Sequence, residues 1–137
     1  MILLDTNVVS ETFRKIPDKA VMAWLARYDA ELALPTITIA EIAYGIGKLG
    51  PDPRAERFSH SLGEWRRRFA GRIFGFTEEA AIAYGDIMGN ASRSGHPMSA
   101  PDGMIAAIAR VNRARLATRN LSDFSTAGLQ LISPWDF

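Results

Sequence analysis

Short apolar runs alternate along this chain with longer segments whose apolar residues recur at helical spacing. Ile2, Leu3 and Leu4 form a run closed by Asp5, the pattern of a buried strand feeding a polar loop. Beyond Pro17, Val21, Trp24, Leu25 and Tyr28 trace one face of a helix. Leu32 to Leu34, before Pro35, predict a second strand. Thr38 then opens a helix through Glu41, Ile42 and Tyr44 that ends in the glycines between 45 and 50, with Pro51 and Pro53 marking a loop. Ala55, Phe58, Leu62, Trp65 and Phe69 form an amphipathic stripe, weakened at Gly63. Ile73 to Phe76 predict another strand, and Thr77 followed by Glu78 and Glu79 predicts a helix start reaching to about Gly95. Residues 102–112 read as a helix packing Ile105, Ile108 and Ala109. Leu116 to Thr118 and Leu129 to Ile132 predict the last strands.

Strands alternating with helices predict a single α/β domain over residues 1–137, a parallel β-sheet flanked by helices on both sides. No internal repeat, low-complexity stretch or linker divides the chain. In such sheets, ligands gather at the carboxyl ends of the strands.

Composition narrows the function classes. The chain has 137 residues, 47% of them hydrophobic and 23% charged, an ordinary globular profile. It has no cysteine and only two histidines, His60 and His96, which argues against thiolate or histidine-built zinc sites. Both histidines read as solvated residues without a role. No apolar run approaches the roughly 20 residues that span a bilayer. The first residues carry no basic region or cleavage site, so the expected location is the cytoplasm. Net charge is only +1, but its distribution is uneven. Residues 54–72 carry six arginines against Glu56 and Glu64, whereas residues 110–119 carry four arginines and no acid. This fits either a solvated helix face or a phosphate track beside an acidic pocket.

Most motif matches fail on context. Gly45-Ile-Gly-Lys-Leu-Gly50 has the dinucleotide spacing, but its glycines follow a helix and precede Pro51 instead of joining a strand to a helix. Asn90-Ala-Ser92 and Asn120-Leu-Ser122 match a glycosylation pattern that a cytoplasmic chain does not use. There is no G-x-S-x-G nucleophile elbow.

The carboxylates are more informative. Asp5 closes the first strand. Glu41, Asp102 and Asp123 each lie three residues after a capping residue, Thr38, Ser99 and Asn120. Helix capping alone is the commoner explanation for each of the three. It explains neither Asp5 nor the position of each cap after a strand or strand-like segment. In a parallel sheet these four acids converge on one edge. Clustered carboxylates repel unless one is protonated or a cation binds, and an all-oxygen set suits Mg²⁺ or Mn²⁺. Such a site serves phosphoryl chemistry, with flanking arginines tracking a nucleic-acid backbone.

Leu3-Leu4-Asp5-Thr6-Asn7, Thr38-Ile-Ala-Glu41-Ile42 with Tyr44-Gly45, and Asp102-Gly-Met-Ile-Ala-Ala-Ile-Ala109 resemble the PIN-domain nucleases, most closely the VapC and FitB-like toxins of bacterial toxin–antitoxin pairs. Leu116-Ala-Thr-Arg-Asn120, Asp123-Phe124 and Pro134-Trp135 complete the resemblance, which spans nearly the whole chain in the family's order. Gly103 departs from the alanine usual after the third acid; the expectation is a looser helix start with no ligand lost.

The resemblance implies a Mg²⁺- or Mn²⁺-dependent endoribonuclease, forming a homodimer and held inactive by a cognate antitoxin. Operator DNA would be reached only through that antitoxin, and no membrane is involved. It further implies Asp5 and Asp102 as principal metal ligands, with Glu41 and Asp123 completing the site directly or through waters. Thr6, Asn7 and Asn120 would orient ligands or the scissile phosphate. Thr118, on a strand, either joins them or simply packs. Water attacks in line, leaving 5′-phosphate and 3′-hydroxyl ends. Arg66, Arg67, Arg68, Arg113, Arg115 and Arg119 are the candidate RNA contacts. Two alternatives stand beside this reading. One is a FitB-like subunit of a DNA-binding regulatory complex with little or no nuclease activity. The other is a phospho-aspartate phosphatase, disfavoured because Asn7 occupies the place of its second aspartate.

Overall fold

The computed structural model describes residues 1–137. Its core is one five-stranded, all-parallel sheet in the order β3-β2-β1-β4-β5, formed by Ile2–Leu4 (β1), Leu32–Pro35 (β2), Ile73–Phe74 (β3), Arg115–Ala117 (β4) and Leu131–Ile132 (β5). Six α-helices cover it: Thr6–Glu11 (α1), Lys19–Tyr28 (α2), Thr36–Leu49 (α3), Pro53–Arg68 (α4), Glu78–Arg93 (α5) and Ala100–Val111 (α6). No helix is long and apolar enough to cross a membrane.

The strands read as unbroken apolar runs because both faces are buried, and their two-residue period deals side chains alternately to two cores. Leu3, Ala33 and Leu116 join Ile87, Ile105 and Ile108 beneath α5 and α6. Ile2, Leu4, Leu32, Leu34 and Ala117 join Val8, Val21, Trp24 and Ile42 beneath α1, α2 and α3. The predicted architecture, with helices on both sides, is the one observed.

Several local expectations are corrected. The polar loop expected after Asp5 is helix α1; its two valines are adjacent and its few residues are too short for a helical stripe to show. Asp5 caps it, accepting the Thr6 N–H at 2.8 Å. Helix α3 begins at Thr36, so Thr38 is no cap. The Thr38 hydroxyl lies buried inside the helix and donates to the Leu4 carbonyl at 2.9 Å, tying α3 to the end of β1. Gly45 and Gly47 are helical, and α3 stops only at Gly50, where φ is +60°. Gly63 does not interrupt α4. Strands β3 and β5 are two residues each, shorter than the apolar runs that carry them. Thr118 lies one residue past β4.

Gly103 has a different meaning from the looser start expected of it. A Cβ there would collide with Met88 Sδ and stand 3.0 Å from Tyr84 Cε2. The missing side chain lets α6 press against α5, the most extensive helix contact in the molecule.

Candidate acidic active site

The chain runs from β1 outward to β2 and β3, then returns to place β4 on the other side of β1. Between β1 and β4 the topology therefore switches, and the crevice beyond the carboxyl ends of these strands is where an open α/β sheet collects its chemistry. Asp5 and Thr118 sit side by side there. The Asp5 N–H extends the ladder to the Ala117 carbonyl at 2.9 Å, and the Thr118 N–H bonds the Ile132 carbonyl at 2.9 Å.

The Asp5 side chain is buried and held from three directions. Its Oδ1 accepts the Thr6 N–H, while its Oδ2 accepts the Thr118 hydroxyl at 2.7 Å and Asn7 Nδ2 at 3.2 Å. Thr118 Oγ1 in turn accepts the Asn120 N–H at 3.1 Å, and Asn7 Oδ1 accepts the Arg119 N–H at 3.2 Å. Thr118 is thus no packing residue but the fully buried hydroxyl that fixes Asp5. A lone hydroxyl residue where an apolar strand ends was the available signal.

Glu41 arrives from the second turn of α3, one turn beyond Thr38 and on the same face. Its Oε1 accepts the Thr6 hydroxyl at 2.6 Å. Asp102 enters from the first turn of α6, where the Ser99 hydroxyl accepts its N–H at 3.3 Å as the capping pattern predicts. Asp123 lies on a short 3-10 turn, Leu121–Phe124. The cap expected from Asn120 is absent; the Asp123 N–H bonds the Asn120 backbone carbonyl at 3.1 Å instead. Asn120 thus meets the site through its own N–H on Thr118.

Asp102 lies within reach of the charges of the other three acids. Burial pushes the Asp102 carboxyl up to about 6, and the charges of Asp5, Asp123 and Glu41 add to the rise against the Ser99 hydrogen bond. Asp5 is raised chiefly by burial and also by Glu41, opposed by its bonds to Thr118, Thr6 and Asn7. None of the four takes part in an ion pair; the salt bridges of the molecule use Glu11, Asp29, Glu31, Asp52, Glu64 and Asp86. Nor are any three drawn into a ready-made ligand cage. An uncompensated, all-oxygen set of this kind fits a hard divalent cation that takes one or two carboxylates and keeps its waters.

The candidate RNA arginines are not gathered at this edge. Arg66, Arg67 and Arg68 occupy the last turn of α4. That turn lies beside the amino end of β2, where Arg68 pairs with Asp29, and Arg67 is tied to Glu64. Arg115 begins β4 and pairs with Glu31 just before β2, and Arg113 lies in the turn leading into β4. Only Arg119 follows a strand's carboxyl end, its guanidinium over the Trp135 ring at 5.1 Å from the centroid. The sequence shows clusters of charge but not which end of a strand they flank.

Beside the acids runs an apolar groove of about 380 Å³, with Thr6 and Glu41 at its edge and Phe13, Ile42, Ile46, Leu49 and Phe58 among its lining.

A parallel α/β sheet carrying acidic side chains beyond its strand ends, near the switch point, is the class of fold the structure defines. The PIN-domain model matches residues 2–128, and the chain belongs to the PIN-domain family. It is 41% identical over 99% of both chains to VapC ribonuclease Y4jK of Sinorhizobium fredii. Its fold matches the FitB-containing crystal structure of FitAcB from Neisseria gonorrhoeae, with a TM-score of 0.90, 37% identity and complete coverage of both chains. A structure of FitAB bound to an IR36 DNA fragment matches with a TM-score of 0.91 and 36% identity, over 98% of this chain and 96% of that one.

Proposed function

We propose that this protein is the toxin of a toxin–antitoxin pair, a Mg²⁺- or Mn²⁺-dependent endoribonuclease. The observation that carries this reading is the convergence of Asp5, Glu41, Asp102 and Asp123 at one strand edge with no cationic side chain to compensate them. The similarity to a protein named as a VapC ribonuclease supports it. Asp5 and Asp102 would hold the ion, with Glu41 and Asp123 binding directly or through water. When bound, the ion supplies Lewis-acid charge at the phosphodiester and makes water a better nucleophile near neutral pH.

The chain's own groups do the positioning. Thr118, Asn7 and the Thr6 N–H lock the Asp5 carboxylate, and the Thr6 hydroxyl orients Glu41. Arg119, at the rim, meets the RNA backbone as it crosses the strand ends. In-line attack by water leaves 5′-phosphate and 3′-hydroxyl ends.

The apolar groove suits an amphipathic antitoxin helix, whose basic residue would reach past Thr6 and Glu41 into the carboxylates. That contact would compete with the metal, so added Mn²⁺ is expected to weaken the toxin–antitoxin complex; an affinity unmoved by Mn²⁺ would remove direct competition. A homodimer is also proposed, with two exposed residues, Phe76 just before α5 and Ile82 within it, as its contact. Ile82→Glu should then leave a monomer in light scattering.

A second reading has one observation in its favour, the similarity to FitB in a complex bound to DNA. There the chain would serve mainly as a subunit of an antitoxin–operator complex. Incubating purified protein with total RNA decides between them. Discrete cuts that need Mg²⁺ or Mn²⁺ and vanish in Asp102→Asn support the nuclease. A folded protein that cuts nothing and forms a DNA-binding antitoxin complex favours regulation.

A further inference from the structure

Asp123 borders a second cavity, about 350 Å³, which shares no lining residue with the apolar groove and has no hydrophobic side chain in its lining. One wall is the segment carrying Ser122, Asp123, Ser125 and Thr126; the other is Gly95-His96-Pro97. Neither wall is a loose loop. The first is pinned by Phe124 and Ala127, both buried in the core beneath α5 and α6. Asn90 Nδ2 also ties it to α5, donating to the Thr126 carbonyl at 3.2 Å.

The second wall is fixed by helix ends on both sides. Gly95, at φ +73°, closes α5, and the His96 N–H returns to the Ala91 carbonyl at 3.0 Å. Three residues on, Ser99 caps α6 and delivers Asp102. The His96 segment is therefore built into the same turn that sets a principal carboxylate. The hydroxyls of Ser122, Ser125 and Thr126, and the His96 imidazole, are not used in hydrogen bonds within the protein. Asp123 belongs to both the cavity and the acidic site.

We propose that this cavity is a substrate subsite that receives the ribose and phosphate of the nucleotide next to the scissile bond, with His96, Ser125 and Thr126 as its contacts. The inference rests on the ribonuclease reading and adds to it where the strand goes. The acids border two surfaces: at Glu41 the flank is hydrocarbon, and at Asp123 the flank is hydroxyls and an imidazole. The polar flank matches a sugar–phosphate unit, whose 2′-hydroxyl both donates and accepts and distinguishes RNA from DNA. No aromatic ring lines the cavity, so base stacking is not its mode. RNA and antitoxin then overlap at the carboxylates but leave by different flanks.

The test uses wild type, His96→Ala and the double variant Ser125→Ala/Thr126→Val, each checked for an unchanged thermal melt. Steady-state cleavage is measured on a short RNA containing one cut site and on versions with a single 2′-deoxy substitution on either side of it. The expected result is a KM about 5–20-fold higher in both variants, with kcat within about twofold. The 2′-deoxy substitution on one side should raise the wild-type KM and have little further effect in the double variant, since the two changes remove one shared contact. An unchanged KM in His96→Ala, or an equal 2′-deoxy penalty in wild type and double variant, would overturn the subsite while leaving the nuclease reading intact. If wild type cuts no RNA, the nuclease reading fails first. Fluorescence anisotropy of random-sequence ribo-octamers on the Asp102→Asn protein then decides the subsite: weaker binding on adding His96→Ala supports it, and equal binding or none rejects it.

Discussion

Asp102→Asn should make the metal-free protein more stable while destroying its activity. The amide keeps the shape of the side chain and leaves the backbone bond to Ser99 in place, so the change removes charge and little else. The carboxyl is raised from 3.8 to about 6, roughly two units, or about 3 kcal/mol at 1.36 per unit before screening. Asp102 is only half-buried, and solvent reduces that to about 1–2 kcal/mol. A first-turn carboxylate recovers roughly 0.3–1 kcal/mol from the helix dipole, which the amide forfeits. The net gain is about 1 kcal/mol, a rise in Tm of roughly 3–5 °C for a chain of this size. The sign follows from linkage. Between pH 3.8 and 6 the native state binds more protons than the unfolded one, so wild-type stability falls as pH rises through that window. The cost of the anion is complete above it and relieved below it. Melts followed by circular dichroism in chelator should therefore separate the two proteins at pH 7.5 and bring them together near pH 4. Saturating Mn²⁺ should raise the wild-type Tm more than the variant's. A variant that is less stable at pH 7.5, or whose advantage does not change with pH, would refute the idea that Asp102 is held in a repulsive cluster.

Thr118→Val should cost about 1–3 kcal/mol, because it strips a buried partner from Asp5 and from the Asn120 N–H. It should also shift the acidic limb of the cleavage–pH profile upward, since that hydrogen bond holds the Asp5 carboxyl down, and Thr118→Ser should restore both. Gly103→Ala forces a Cβ onto Met88 and Tyr84, costing roughly 1–3 kcal/mol and outweighing the ~1 kcal/mol of helix propensity gained; a raised urea midpoint would contradict this. Arg119→Ala should raise KM for RNA, whereas Arg66→Ala and Arg113→Ala at the far sheet edge should leave it within about twofold.

The parallel sheet was legible because strands buried on both faces leave continuous apolar runs such as Ile2–Leu4, and no other common architecture alternates such runs with amphipathic helices. Where the acids fall was legible because each lies just past a strand or within the first two turns of a helix, and parallel topology sends those places to one edge. Four things were hidden. Helix α1 is too short to show a period, and it is made by the cap that Asp5 supplies. The roles of Thr38 and Thr118 depend on partners 34 and 113 residues away, which no local pattern reveals. The arginines were visible as clusters, but the end of the strand beside which each falls is decided by connectivity, and that places Arg68 and Arg115 opposite the acids. That the loop residue His96 borders a cavity was hidden as well, because the wall facing it comes from near residue 125.

The most direct test of the central claim compares two titrations on the same wild-type preparation. Mn²⁺ binding, read by calorimetry, and RNA cleavage rate, read on a short substrate, are followed across the same Mn²⁺ range, with Asp5→Asn and Asp102→Asn alongside. The convergent carboxylates predict that binding and activity half-saturate together and that each substitution weakens binding at least tenfold and abolishes cleavage. Cleavage that persists in chelator, or that survives the loss of either aspartate, would contradict the account.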